Sequence, residues 1–214
     1  MARILRRLKG GFVTMKSTIF DASVLSTFLS RISSLLLRLF GWRREGELPD
    51  IPKYVLIGAP HTSNWDFPFT LAYAFVYRAK VFWMGKETLF RRPFGSLMRW
   101  LGGIPIDRTK SQNAVAQTVN IFDNIEQVIM IIAPEGTRKK VKHWKTGFYH
   151  IAHEAKVPIV LGFLDFRRKV GGIGPLIFPT GDIGADMEKI LDFYRSVMGK
   201  RPELASYANS VTSG

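Results

Sequence analysis

His61 and Asp66 make a general base with its orienting partner if the chain brings them together. An unperturbed imidazole titrates at about 6.5, near working pH. A carboxylate that accepts a hydrogen bond from one ring nitrogen fixes the tautomer and steadies the imidazolium, and the other nitrogen is then placed to take a proton from a hydroxyl. Thr62, Ser63, Asn64 and Trp65 lie between the two. On a plain helix, positions i and i+5 face different ways, so the pair meets only if the chain bends between them. By itself the spacing fits a loop histidine and a helix-capping aspartate at least as well.

The flanking segments argue for such a bend. Residues 54–59 form an apolar run with the length and composition of a buried strand. Residues 67–77 read as a helix, with Ser63 and Asn64 as N-cap candidates and Pro68 tolerated only in the first turn. His61 is therefore expected on the loop at the carboxyl end of a strand, with Asp66 just inside the helix.

Two further stretches extend the pattern. One is Leu101, Gly102, Gly103, Ile104, Pro105, Ile106, Asp107 and Arg108. The other is Ala133, Pro134, Glu135, Gly136, Thr137 and Arg138, which follows the strand-like run 128–133. With His61 and Asp66, and with Val157, Pro158 and Ile159 further on, they give four motifs in order. In these the chain resembles the glycerolipid acyltransferase family, whose best-known members are the lysophosphatidic acid acyltransferases. The resemblance spans about residues 50–165. The chain departs from the family pattern at Pro60, where many members carry Asn, at Ala133, where Phe is usual, and at Leu161 and Gly162, where a second Pro is common.

The resemblance implies acyl transfer from an acyl thioester to the free hydroxyl of 1-acylglycerol-3-phosphate, giving phosphatidic acid. In that reading His61 deprotonates the hydroxyl and Asp66 orients His61. Arg108 and Arg138 hold the phosphate, since a guanidinium makes two parallel hydrogen bonds to phosphate oxygens. Glu135 and Thr137 hold the arginines or the acceptor, and Gly136 lets backbone approach the ligand. The chain has no Cys and no Gly-x-Ser-x-Gly elbow, so the hydroxyl is expected to attack the acyl carbonyl directly, without an acyl-enzyme. No cofactor or metal is expected. Acyl-CoA or acyl carrier protein enters as co-substrate, and a different lysolipid or other lipid acceptor stays open.

The 214 residues suffice for one well-packed domain, and 46% of them are hydrophobic. The net charge is +14, a field that attracts polyanions. Residues 1–44 carry nine basic residues against Asp21 alone, within a strongly apolar segment. Between 22 and 40, apolar residues recur at helical spacing while Ser23, Ser26, Thr27, Ser30, Ser33 and Ser34 cover much of the rest. A serine-rich face and Arg31 near the middle speak against a membrane span. The expected element is a helix in the plane of the interface, apolar face down, with basic residues gripping anionic membrane lipids. No zinc finger, helix-turn-helix or aromatic RNA-binding signature supports nucleic acid as a partner.

The expected organisation is a membrane anchor at 1–44, a catalytic domain at 45–200 and a polar, peripheral tail at 201–214. Residues 45–53, with Pro49 and Pro52, read as a linker. Further strands are expected at 80–84, 104–106, 128–133, 158–165 and 175–178, and helices at 94–101, 112–125, 146–155 and 187–198. Residues 167–174 read as a basic, glycine-rich turn. His150, His153 and Glu154 share a helical stretch without the spacing of a metal motif. Strands alternating with helices predict an α/β fold with a mostly parallel, mixed sheet flanked by helices, its site at the carboxyl ends of the strands. The protein is expected at the cytoplasmic face of a membrane, monotopic or peripheral.

Overall fold

A computed structural model describes residues 17–106 and 111–206, with the side chains of 111–113 left aside. Arg108, residues 1–16 of the expected anchor and residues 207–214 of the expected tail lie outside the described residues.

Seven strands form one mixed sheet: β1 Arg43–Glu45, β2 Lys53–Ala59, β3 Val81–Lys86, β4 Gly103–Ile106, β5 Val128–Ile132, β6 Ile159–Asp165 and β7 Val170–Ile177. Their order is β1-β7-β6-β2-β5-β3-β4. Every neighbouring pair is parallel except β6 and β7. The helices are α1 Ser23–Leu39, α2 Asp66–Val76, α3 Gly95–Trp100, α4 Ser111–Asn124, α5 Gly147–Glu154 and α6 Ile183–Arg195.

Both faces of the sheet are covered, which is why its central strands are apolar at successive positions. Val55, Ile57 and Ala59 of β2 pack with Phe122, Phe148, Ile151, Ile190 and Tyr194 from α4, α5 and α6. Tyr54 and Leu56 point the other way, into a second cluster with Val160. Period-two alternation thus splits one strand between two cores.

Three elements differ from expectation. Residues 170–174 are strand, because each glycine there meets a close neighbour. A Cβ at Gly171 would lie 2.1 Å from the Tyr73 ring, at Gly172 2.4 Å from the Glu45 carbonyl, and at Gly174 2.4 Å from Phe193. β1 falls where the anchor was to end and the linker to begin, so the segment around residue 44 is part of the sheet. α6 begins four residues early, capped by Asp182, whose carboxylate accepts the Ala185 N–H at 3.0 Å.

α1 packs against α2, and its inward side is the serine side. Ser30, Ser33 and Leu37 are buried, whereas Val24, Phe28, Leu35, Leu36, Leu39 and the following Phe40 are exposed. Small side chains allow two helices to approach closely, which leaves the apolar stripe facing outward. No described helix is long and apolar enough to cross a membrane.

Candidate active site

The loop between β2 and α2 is folded around one carboxylate oxygen. Oδ2 of Asp66 accepts the backbone N–H groups of Thr62 at 2.9 Å and Ser63 at 2.8 Å. It also lies 3.1 Å from Nδ1 of His61. This is the bend that the spacing required. It begins where β2 ends and closes where Asp66 opens the helix. Ser63 and Asn64 do not cap α2; Trp65 holds that position with no side-chain cap, and Ser63 instead accepts the Trp65 N–H on its hydroxyl. Pro68 lies in the first turn, where its missing N–H costs nothing.

Asp66 is buried, and the His61 side chain is 27% exposed. Nδ1 faces Asp66, so in the tautomer with its proton on Nδ1 the lone pair is on Nε2. The arrangement can therefore take a proton from a hydroxyl presented at the surface and stabilise the resulting imidazolium.

Glu135 reaches the same loop from the neighbouring strand. β2 and β5 run parallel with Ile57 opposite Ile132, so the segments that follow them leave the same edge of the sheet. Oε1 of Glu135 accepts the His61 backbone N–H at 2.9 Å. Glu135 is only 2% exposed, and its Oε2 has no partner among the described residues. Burial raises its carboxyl pKa above the usual value, outweighing the hydrogen bonds from His61 and its own backbone that pull it down. Glu135, expected to hold the arginines or the acceptor, lies beneath the His61 loop and supports it from below.

The rest of that segment is a tight turn. Gly136 sits at φ +65°, a conformation that side chains rarely adopt. A Cβ there would come within 3.2 Å of the Lys145 side chain, so Lys145 lies across this turn. The Thr137 hydroxyl accepts the Lys139 N–H at 3.3 Å, and Arg138 is exposed. Gly136, Thr137 and Arg138 are thus on the edge that carries His61.

The family model for acyltransferases matches residues 44–160, more than half of the chain. The chain belongs to the acyltransferase family. Among solved structures it is similar to the crystal structure of the 1-acyl-sn-glycerophosphate (LPA) acyltransferase PlsC from Thermotoga maritima. The TM-score is 0.56 and the identity 16%, with 83% of this chain and 80% of that one covered. At that identity the likeness speaks for the fold. None of the curated proteins matches the chain significantly.

One part of this acyltransferase's site carried no signal in its sequence. Residues 198–206, expected in part as a peripheral tail, are strapped across the loops just described. The Met198 carbonyl accepts the Phe166 N–H at 2.8 Å. The Thr62 hydroxyl accepts the Arg201 N–H at 3.2 Å, and the Lys200 ammonium lies 4.6 Å from the centre of the Trp65 ring. Ser206, itself buried, accepts the Val141 N–H on its hydroxyl at 2.8 Å and the Trp144 indole N–H on its carbonyl at 2.6 Å. The strap thereby ties the histidine loop to the segment that carries Lys145.

The amides of His61, Thr62, Ser63 and Trp65 are all spent on partners within the protein. His150 is exposed and His153 stacks on Tyr149. Among the described residues no group of three His, Asp or Glu could hold a metal ion.

Proposed function

We propose that this acyltransferase moves a fatty acyl group from an acyl thioester to the free hydroxyl of 1-acylglycerol-3-phosphate, giving phosphatidic acid at a membrane surface. The observation that carries the reading is the 3.1 Å contact between His61 and Asp66 at the carboxyl edge of the sheet, in a chain of this family. Nε2 of His61 takes the acceptor's hydroxyl proton as its oxygen attacks the thioester carbonyl. The tetrahedral intermediate collapses, the carbon–sulfur bond breaks, and the proton held on the imidazolium passes to the departing thiolate. Arg138, with Arg108, holds the acceptor's phosphate. The donor is acyl-CoA or acyl carrier protein, and no cofactor takes part.

The outward apolar face of α1 supports attachment to the membrane interface. Each such Leu or Phe gains about 1.5–3 kcal/mol when fully buried, and Arg31 and Arg38 on the same helix are exposed to meet anionic headgroups. The PlsC structure supports a phosphate-bearing lysolipid as acceptor, since the name of that protein specifies 1-acyl-sn-glycerophosphate.

The test uses purified protein on anionic vesicles with lysophosphatidic acid and either donor. Phosphatidic acid should form with the parent and fall to background with His61→Ala, while Arg138→Ala should raise the KM for the acceptor. Full activity in His61→Ala would remove the mechanism. Undiminished turnover of a lysolipid without phosphate would transfer the assignment to another lipid acceptor, a reading that the departures at Pro60 and Ala133 keep open.

A further inference from the structure

The carboxyl edge of the sheet carries a second group of exposed apolar side chains, on the opposite side of His61 from the end of α1. β3 is parallel to β5, which is parallel to β2, so the chain leaves β3 at the edge that carries the histidine loop. It makes a 3-10 turn, Glu87–Phe90, and returns through α3. Leu89 is 49% exposed, Phe94 66% and Leu97 44%. Phe94 and Leu97 are three apart and share a helix face.

This corner is held rigidly. Phe90 turns inward and stacks on Trp83 at 5.7 Å. A Cβ at Gly95 would lie 2.0 Å from the Phe90 carbonyl oxygen, so α3 is pinned onto the turn. Arg99 lies over the Phe90 ring and donates to the Phe90 carbonyl at 3.1 Å. With Phe90 as the inner anchor, Leu89 and Phe94 are left pointing away from the core.

The charge around them names the occupant. Arg91 and Arg92 are exposed and form no ion pair among the described residues. Glu87 is the one acid between residues 86 and 100. A row of apolar side chains beside unpaired arginines fits an interface of acyl chains below anionic headgroups. The chain's first sixteen residues are a poor match, because they contain only basic charges.

Position completes the argument. At the other end of the edge, β6 runs parallel to β2 and ends in the turn that holds Lys169. The Lys169 ammonium donates to the carbonyl of Phe40, just past the end of α1. Trp65, 56% exposed, stands between on the histidine loop. Leu39 and Phe40, then Trp65, then Leu89 and Phe94 therefore follow one edge of the sheet.

We propose that the corner formed by Leu89, Arg91, Arg92, Phe94 and Leu97 is a second contact with an anionic lipid bilayer, which with α1 seats the histidine loop on the membrane from both sides. The proposal rests on the membrane reading given above. The experiment is co-sedimentation of the full chain with vesicles of phosphatidylcholine containing anionic lipid, and with phosphatidylcholine alone. Leu89→Ser/Phe94→Ser and Arg91→Glu/Arg92→Glu are compared with Phe28→Ser/Leu35→Ser on α1, after thermal melts establish that each variant folds as the parent does.

Partitioning should weaken about tenfold or more in both corner variants. The arginine variant should lose its defect on uncharged vesicles or in high salt, and the leucine–phenylalanine variant should keep it. Acylation of detergent-dispersed acceptor should stay at the parent level in both. Parent-like partitioning of the corner variants beside a defective α1 variant would overturn this proposal and leave the α1 reading standing. A parent that ignores vesicles would overturn both. Parent-like partitioning with turnover lost only when acyl carrier protein is the donor would overturn it in favour of a protein-docking face.

Discussion

The buried carboxylate of Glu135 accepts the backbone N–H of His61 at 2.9 Å, across 74 positions of sequence. Two carboxylates thus grip the histidine loop: Asp66 the ring and the next two amides, Glu135 the histidine's own amide. His61 is thus held in position by both, which under the proposed mechanism is the preorganisation that proton transfer requires.

Glu135 should leave a mark on the pH dependence of stability. Burial raises its carboxyl pKa, so the folded protein holds this proton to a higher pH than the unfolded chain does. Its contribution is fully present below the unfolded value of about 4.3 and is lost as pH rises through the folded value. Within that window the slope reaches about 1.4 kcal/mol per pH unit. Glu135→Gln keeps the acceptor for His61 and has no proton to lose. The amide it places at the partnerless Oε2 position adds an offset that does not vary with pH. Urea melts between pH 4 and 9 (about one unit apart) should show the parent losing stability relative to the variant as pH rises. Parallel profiles would contradict the assignment.

Asp66 is open to a separation of chemistry from architecture. Asp66→Asn retains an oxygen for the Thr62 and Ser63 amides but loses the charge that steadies the imidazolium. It should fold normally and lose about 10²- to 10⁴-fold in kcat with little change in the acceptor's KM. Asp66→Ala strands two buried N–H donors at a cost of about 1–3 kcal/mol each, so its Tm should fall as well. Equal Tm values for the two variants would mean that the loop does not depend on the carboxylate.

Much of this centre was readable because its determinants are local. An apolar run of strand length, then a helix start, put His61 on a carboxyl-end loop and Asp66 five positions on, and the structure has both there. What escaped reading depends on distant contacts. Glu135, expected to hold the arginines or the acceptor, finds its partner 74 positions away, and the Thr62–Arg201 contact joins residues 139 positions apart. β1 is exposed at all three positions and has no apolar pattern. The glycines of β7 imitate a turn, although packing against Tyr73, Glu45 and Phe193 explains them. In α1 the two-sided pattern was plain, but periodicity does not say which side meets α2.

The strap offers a test of long-range positioning. A Cβ on Gly199 would approach Thr62 Oγ1 to 2.8 Å, Pro60 Cγ to 3.0 Å and Thr62 Cγ2 to 3.1 Å. Gly199→Ala should therefore displace the histidine loop and lower kcat by about tenfold, in line with the cost of small misplacements. Thr62→Ala removes two of the three close contacts. The double variant should be less impaired than the single effects predict, with a coupling of about 0.5 kcal/mol or more. Strict additivity would show that the strap and the loop do not press on each other.

α1 makes a prediction that runs against its hydrophobic pattern. Ser33 is 9% exposed on the side that meets α2, whereas Leu39 is 71% exposed. Adding apolar bulk at Ser33 forces the two helices apart, so Ser33→Leu should destabilise by about 1–3 kcal/mol. Removing apolar bulk at Leu39 takes nothing from the core, and Leu39→Ser should stay within about 0.5 kcal/mol of the parent. Vesicle binding should reverse the ranking for surviving folded protein, with Leu39→Ser weakened and Ser33→Leu retained. Chemical denaturation and co-sedimentation on the same two variants decide it. A stabilised Ser33→Leu would place the leucine stripe, and not the serine stripe, against α2.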